Sequence, residues 1–431
     1  MPFKCFINHV RQLLILHVVG ALTAAIMQGA TDFDVAAKAT NELAADLHRQ
    51  LATADENLCV SPFSIESALA MTCIGADGET RTEMARVLHF PTNDTGVPAS
   101  FSALQHSLEL MSAKTTEIVK QSKKFGGPSE PIILHIANRL FAQKGYAFRA
   151  GFLSLVKQNF GGAFEPIDFI ANPIAATQRI NKWVADETRD RIRDLIPGGA
   201  LDKTTRLVLA NALYLKAPWA SEFSQNATQS EPFFVHGSAP VDVPMMRKTD
   251  KHFGYARHEE FTVVSLPYAG NDLQLLVLLP DEMNGLHALE SKLSGELLAQ
   301  CAKLQARDVD LHLPKFKLQP PTITLAEKFE ALGMKTAFDK PQGSANFGKM
   351  APRKPDDYLY ISQIFHKTFI AVDEKGTEAA AATAVAMMAG TALRSPPPPP
   401  IEVKVDRPFV YAIQHVPSGV CLFLGRVTDP R

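Results

Sequence analysis

Residues 373–400 read Asp373-Glu-Lys-Gly-Thr-Glu-Ala-Ala-Ala-Ala-Thr-Ala-Val-Ala-Met-Met-Ala-Gly-Thr-Ala-Leu-Arg-Ser395, then five prolines, Pro396–Pro400. A chain that is 46% hydrophobic has no reason to spend so many small residues on a core. Taken alone, Ala379–Ala382 suggests a helix, and the prolines stop it and form a stiff polyproline run. Read with period two, one face is Thr377, Ala379, Ala381, Thr383, Val385 and Met387. The other is Glu378, Ala380, Ala382, Ala384, Ala386 and Met388. The one charge lies on one face, so the stretch can lie as a strand between two others, small side chains inward and Glu378 outward. The blander alternative is an Ala-rich surface loop or short helix.

The flanks read as sheet. Residues 367–373, 408–416 and 420–427 are strand candidates, the last two joined by Pro417-Ser418-Gly419 as a hairpin. Val309, Leu311 and Leu313 alternate with Asp308, Asp310 and His312, a half-buried strand. Leu273–Leu279 is almost wholly apolar, which suggests a strand covered on both faces. Residues 206–216 and 262–268 complete the set. Helices dominate the first half. Leu43, Leu47 and Leu51 recur at fourfold spacing, Ser61-Pro62 supplies a cap and a first-turn proline, and 174–196 predicts one amphipathic helix. Residues 122–131 predict a surface loop. Helices first and strands later imply α+β, in one large domain over 34–431.

The 431 residues carry 44 Lys and Arg against 45 Asp and Glu. That near-zero balance argues against a nucleic-acid partner. At the N-terminus Lys4 and Arg11 precede an apolar run from Leu13 to Ile26, followed by small residues to Ala30. This is the three-part pattern of a secretory signal peptide, predicted over 1–30. It predicts a secreted, extracellular protein (periplasmic in a bacterium) with no membrane contact after cleavage. Of five cysteines, Cys59, Cys73, Cys301 and Cys421 would remain, each beside apolar neighbours and read as buried thiols. No CxxC pair suggests zinc.

Enzyme signatures are missing: there is no GxSxG, HExxH, Walker A or GxGxxG motif. Asp356-Asp357 reads as a solvated turn. Lys114, Lys120, Lys123 and Lys124 read as a solvated basic face rather than a glycosaminoglycan site. Asn93-Asp-Thr95 and Asn226-Ala-Thr228 are glycosylation sequons.

Glu374-Lys-Gly-Thr-Glu-Ala-Ala-Ala-Ala-Thr383 resembles the hinge of the reactive-centre loop of serpins. Asp406-Arg-Pro-Phe409 with Phe423-Leu-Gly-Arg-Val427 resembles the family's closing signature. Asn57-Leu-Cys-Val-Ser-Pro-Phe-Ser64, Leu209-Ala-Asn-Ala-Leu-Tyr-Leu-Lys-Ala-Pro-Trp219, Val243-Pro-Met-Met246 and Leu311-His-Leu-Pro-Lys315 are similar to further motifs, in family order from about 34 to 431.

The resemblance implies a single α+β domain with a dominant central sheet and an exposed loop over about 374–401. It implies a protease inhibitor rather than an enzyme, monomeric, with no metal and no cofactor. A serine protease, or as a second class a cysteine protease, attacks the loop and forms an acyl-enzyme. The cut loop then enters the central sheet and deforms the protease. By resemblance the hinge is Glu374, Gly376, Thr377, Glu378, Ala379, Ala380, Ala381, Ala382 and Thr383. Ser61, Ser64, Asn211 and His366 form a polar shutter beneath the sheet. Lys315 and Glu374 form an exposed ion pair at its top, beside Trp219. Counting from Glu374 puts the reactive bond at Gly390–Thr391, with Arg394–Ser395, Met388–Ala389 and Leu393–Arg394 as alternatives. A non-inhibitory carrier, chaperone or storage role is the competing function.

Overall fold

The computed structural model describes residues 33–53, 55–91, 95–122, 130–235, 239–378 and 398–431. The signal segment and every candidate reactive bond lie outside the described residues.

The helices are α1 (Asp34–Leu51), α2 (Pro62–Gly75), α3 (Gly78–Val87), α4 (Val97–Ser122), α5 (Ala150–Asn159), α6 (Pro173–Glu187), α7 (Leu286–Ser291), α8 (Gly295–Gln300) and α9 (Ala326–Ala331). Ser61 caps α2 by accepting the Ser64 N–H at 3.2 Å, and Pro62 occupies the first turn, where a missing N–H costs nothing. Helix α2 is buried on nearly every side. Its mostly apolar sequence suits a helix enclosed by other elements, and α2 packs against strands of both sheets.

The first strands are β1 (Leu58–Val60), β2 (Ile133–Gln143), β3 (Phe164–Ile167), β4 (Leu207–Pro218), β5 (Gln229–Val235), β6 (Ala239–Arg257), β7 (Phe261–Pro267), β8 (Leu273–Pro280) and β9 (Gln305–Pro314). Then come β10 (Phe316–Leu318), β11 (Ile323–Thr324), β12 (Ile361–Thr368), β13 (Ile370–Asp373), β14 (Gly376–Thr377), β15 (Ile401–Lys404), β16 (Phe409–His415) and β17 (Val420–Val427). Nine of them form a sheet in the order β1-β17-β16-β8-β7-β6-β9-β15, with β5 on β6. The other eight run β10-β13-β14-β4-β12-β11, with β2 on β4 and β3 on β2. All of β8 is buried, as its nearly continuous apolar run requires, and the one polar side chain, Gln274, donates to the Cys301 carbonyl and to Gln414 Oε1. The β16–β17 hairpin turns through Gly419 at φ 68°, a left-handed conformation that favours glycine.

Two expectations need correction. The helix predicted over 174–196 ends at Glu187. Thr188 Oγ1 then accepts the Ile192 N–H, and Arg189, Asp190 and Asp194 take left-handed φ angles. The apolar periodicity that extended the prediction has another cause: Ile192, Leu195 and Ile196 turn down into a cluster with Trp183 and Phe365. The strand predicted over 367–373 is divided at Phe369 between β12 and β13. Up to Thr368 the run pairs parallel with β4; beyond Phe369 it leaves β4 for β10 and β14. The eight-stranded sheet is therefore closed along its middle and open at its top.

The four cysteines at 59, 73, 301 and 421 are buried free thiols. Burial pushes the Cys59 thiol up to about 11 and that of Cys301 to about 12, which makes both inert near neutral pH. Among the described residues no helix is long and apolar enough to cross a membrane.

Candidate functional site

The opening at the top of the sheet is occupied by the chain itself. After Asp373 the backbone reverses, and β14 lies between β4 and β13, antiparallel to both. Gly376 pairs with Pro218 and Asp373; Thr377 pairs with Ala217 and Val372. The reversal requires a glycine. Gly376 has φ 149°, and a Cβ there would meet the Ala217 carbonyl oxygen at 2.1 Å. Thr377 is 1% exposed, and its Oγ1 lies 2.5 Å from the Tyr268 hydroxyl.

The wall of the opening grips the turn through its backbone. The Trp219 and Phe223 amides donate to the carbonyls of Lys375 and Glu374, at 2.9 and 2.8 Å. Trp219 Nε1 donates to the Asp373 carbonyl at 2.9 Å, and the indole stacks on Tyr268 with centroids 4.5 Å apart. Trp219 is thus a core aromatic that also fixes Asp373 and Lys375, while Phe223 fixes Glu374 between them.

Glu374 receives Lys315 Nζ on one oxygen and Thr228 Oγ1 on the other, both at 2.8 Å. The pair is not exposed as the resemblance suggested: the Glu374 side chain is 9% exposed and that of Lys315 37%. Burial alone would raise the Glu374 carboxyl, but Lys315 and Thr228 outweigh it and hold it below the usual range. Glu378, expected to point outward, instead has its side chain largely buried and ion-paired with Arg191. Burial raises its carboxyl above the ordinary value even so. Its φ of 48° marks where the chain leaves the sheet.

Lower in the sheet, three adjacent strands bring Asn138, Asn211 and His366 side by side, in register between β2, β4 and β12. His366 Nε2 accepts the Ser61 N–H at 3.0 Å, so Nδ1 carries the proton and donates to Asn211 Oδ1 at 2.5 Å. Asn211 Nδ2 donates to Asn138 Oδ1 at 2.6 Å, and Ser64 Oγ donates to the same oxygen at 2.6 Å. Asn138 Nδ2 returns a bond to the Ser64 carbonyl at 3.0 Å. Every member is satisfied only while the imidazole is neutral, and burial lowers His366 to about 3. The structure thus brings Ser61, Ser64, Asn211 and His366 into one network. Asn138 is the shared acceptor that sequence reasoning missed.

Comparison with known proteins gives the family. A family description, serpin (serine protease inhibitor), matches residues 38–430. The chain belongs to the serpin family. It is 36% identical over 394 residues to an uncharacterized serpin-like protein of Thermococcus kodakarensis, covering 91% of this chain and 85% of that protein. It is 34% identical over 402 residues to the leukocyte elastase inhibitor of Equus caballus, covering 91% and 98%. The fold superposes on uncleaved ovalbumin with a TM-score of 0.75 at 27% identity, covering 92% of this chain and all of ovalbumin. The serpin fold is α+β.

Of the loop expected over about 374–401, residues 374–378 and 398–401 are described. Ala379, Ala380, Ala381, Ala382 and Thr383 lie outside the described residues, as do Met388, Ala389, Gly390, Thr391, Leu393, Arg394 and Ser395. Arg191, Thr228 and Tyr268 hold the hinge, yet no local signal distinguished them: each meets it from more than a hundred residues away in the chain. In the basic cluster, Lys114 bonds Asp272 and Lys120 bonds Glu117, while Lys123 and Lys124 lie outside the described residues. Among the described residues no group of His, Cys, Asp or Glu could hold a metal ion.

Proposed function

We propose that this serpin is a secreted suicide inhibitor of serine proteases that traps its target by drawing the cleaved loop into the eight-stranded sheet. The observation that carries the reading is β14: Gly376 and Thr377 already form the first rungs of an inserted strand, hydrogen-bonded on both edges. Extending that register sets Thr383 opposite both Asn211 and His366, the residues now paired directly across the β4–β12 seam. It brings Met387 opposite Leu207, where β4 begins. Insertion must therefore break the β4–β12 pairing and replace it with two new ladders.

The residues that would enter are Ala and Thr up to Thr383 except Glu378. Small side chains ask little room of a packed sheet, whereas a buried unpaired charge would cost several kcal/mol. The shutter residues Ser61, Ser64, Asn211 and His366 regulate parting of the seam, and Lys315, Glu374 and Trp219 regulate its start. Gly390–Thr391, the bond counted from Glu374, lies three residues beyond Met387, and Met388–Ala389 lies one residue beyond it. Arg394–Ser395 lies four residues beyond Gly390–Thr391.

The test is incubation with trypsin-like, elastase-like and subtilisin-like serine proteases and with a papain-like cysteine protease. The readouts are an SDS-resistant complex and the mass of the released C-terminal peptide. The expected product starts at Thr391 and runs to Arg431. A peptide starting at Ser395 would mark a trypsin-like target. Cleavage without a complex would overturn inhibition of these proteases and favour a carrier, chaperone or storage role. Secretion is tested separately, by N-terminal sequencing of protein recovered outside the cell.

A further inference from the structure

Beside the hinge lies a cavity of about 780 Å³, within the range of small-molecule sites. It opens between the segment after β4, the middle of β6, the β7–β8 turn and the start of β9. Its inner wall is apolar: Trp219, Phe223, Phe253 and Leu266 are all nearly fully buried. Its rim is cationic. Lys248, Lys251 and His252 lie on one wall against a single acid, Asp250. Among the lining residues Lys248 and Lys251 outnumber the acid Asp250 by one, and Glu222 beside the lining also acts on Lys248.

The Lys248 ammonium is the pivot of this chemistry. Its side chain is 13% exposed, and its Nζ stands 5.9 and 5.7 Å from the Phe223 and Phe253 ring centroids. It donates to the Ser221 carbonyl at 2.5 Å and pairs with Asp250 at 3.1 Å. Asp250 is itself shared, taking the backbone N–H of His252 and facing its Nδ1. Burial lowers the Lys248 amine against the pull of Asp250 and Glu222. An aromatic floor with a cationic rim complements a ligand with an apolar body and one anionic head.

The same wall is mechanically tied to the hinge. Trp219 and Phe223 line the cavity and also hold the backbone of residues 373–375. A ligand packed against these rings would stiffen that grip. We infer that this cavity binds an amphiphilic carboxylate and that occupancy steadies the turn at the start of the reactive-centre loop. The inference does not depend on protease inhibition, because it rests on the cavity and the described hinge.

Decanoate, with decanol as its uncharged analogue, tests it by calorimetry on the full secreted chain. One decanoate per molecule is expected, bound at least about tenfold tighter than decanol. Ala306 is exposed on the rim, so Ala306→Trp should plug the entrance and weaken decanoate at least about tenfold. Lys251→Glu with His252→Glu, both exposed, gives an independent arm: it should weaken decanoate and leave decanol unchanged. In hydrogen exchange, decanoate should slow the Trp219 and Phe223 amides. No saturable binding, equal affinity for decanol, or undiminished binding by both variants would overturn the site. Saturable binding that leaves those two amides unchanged would overturn the coupling to the hinge.

Discussion

At the top of the eight-stranded sheet the chain is held by charge: Glu374 between Lys315 and Thr228, Glu378 against Arg191. In the middle, the seam between β4 and β12 is held by neutral groups, with one imidazole, two amides and two serines each satisfying the next. The difference follows from depth. Half-buried ion pairs exchange partners with water at modest cost, whereas an unpaired polar group in the closed seam keeps its whole desolvation penalty. The top is therefore the place to start opening, and the middle is the place that resists it. Each substitution below asks whether the two regions are as separable as this.

The largest effect is expected at Thr377, the deepest hinge residue described. Thr377→Arg places a guanidinium between Ala217 and Val372, where Tyr268 offers only a hydroxyl. An unpaired charge there costs several kcal/mol, enough to stop insertion. The variant should be cleaved as a substrate, with the SDS-stable fraction falling at least about tenfold. Complex formation at the wild-type level would show that trapping does not need the Thr377 rung beside β4.

Next comes Asn138→Ala, which strands Ser64 Oγ and Asn211 Nδ2 together. Two buried groups without partners should cost about 2–4 kcal/mol. Urea unfolding monitored by far-UV circular dichroism should show the midpoint fall. An unchanged midpoint would mean that the seam does not depend on this network.

The third effect is a slope with pH. Free histidine takes its proton near 6.5, whereas His366 in the fold takes one only near 3. Between these values the unfolded chain binds more protons, so stability falls as pH falls. The loss reaches about 2 kcal/mol at pH 5. His415, lowered to about 4 by burial, adds to the same slope. The comparison that isolates the seam is wild type against His366→Gln between pH 7.5 and 5. The variant should show the shallower decline, and identical slopes would remove His366 as its source.

Much of the fold is legible because its causes are local. The cap at Ser61-Pro62 and the nearly apolar run of β8 each state their structure within ten residues, whereas the alternation around Leu311 states the strand but not its burial, since Asp310 and His312 are buried too. Ser61, Ser64, Asn211 and His366 were recovered through motif resemblance, not through chemistry visible along the chain. Asn138 shows why. It is a lone amide in an ordinary strand, and its meaning comes from Ser64 and Asn211, each more than seventy residues away. The division at Phe369 and the end of α6 at Glu187 failed to show for a related reason. In both places apolar residues (Ile192, Leu195 and Ile196 in one, Phe369 in the other) join one tertiary cluster instead of following the period of their own element.

The smallest effect tests the top alone. Glu374→Gln keeps the shape and removes the charge that Lys315 faces, and should cost about 1–2 kcal/mol, between the values for exposed and buried pairs. Glu378→Gln should cost less, about 0.5 kcal/mol, because Arg191 is half exposed. The two should nevertheless part in kinetics. Glu374 stays outside any inserted strand, so its loss loosens the top of the sheet in both the starting and the inserted states. Glu378 must surrender Arg191 to let Ala379 follow Thr377 into the gap. Glu378→Gln should therefore speed complex formation with a target protease, measured as the second-order rate of inhibition, while Glu374→Gln leaves that rate nearer wild type. Equal rates for the two variants would mean that the Arg191 contact does not restrain entry.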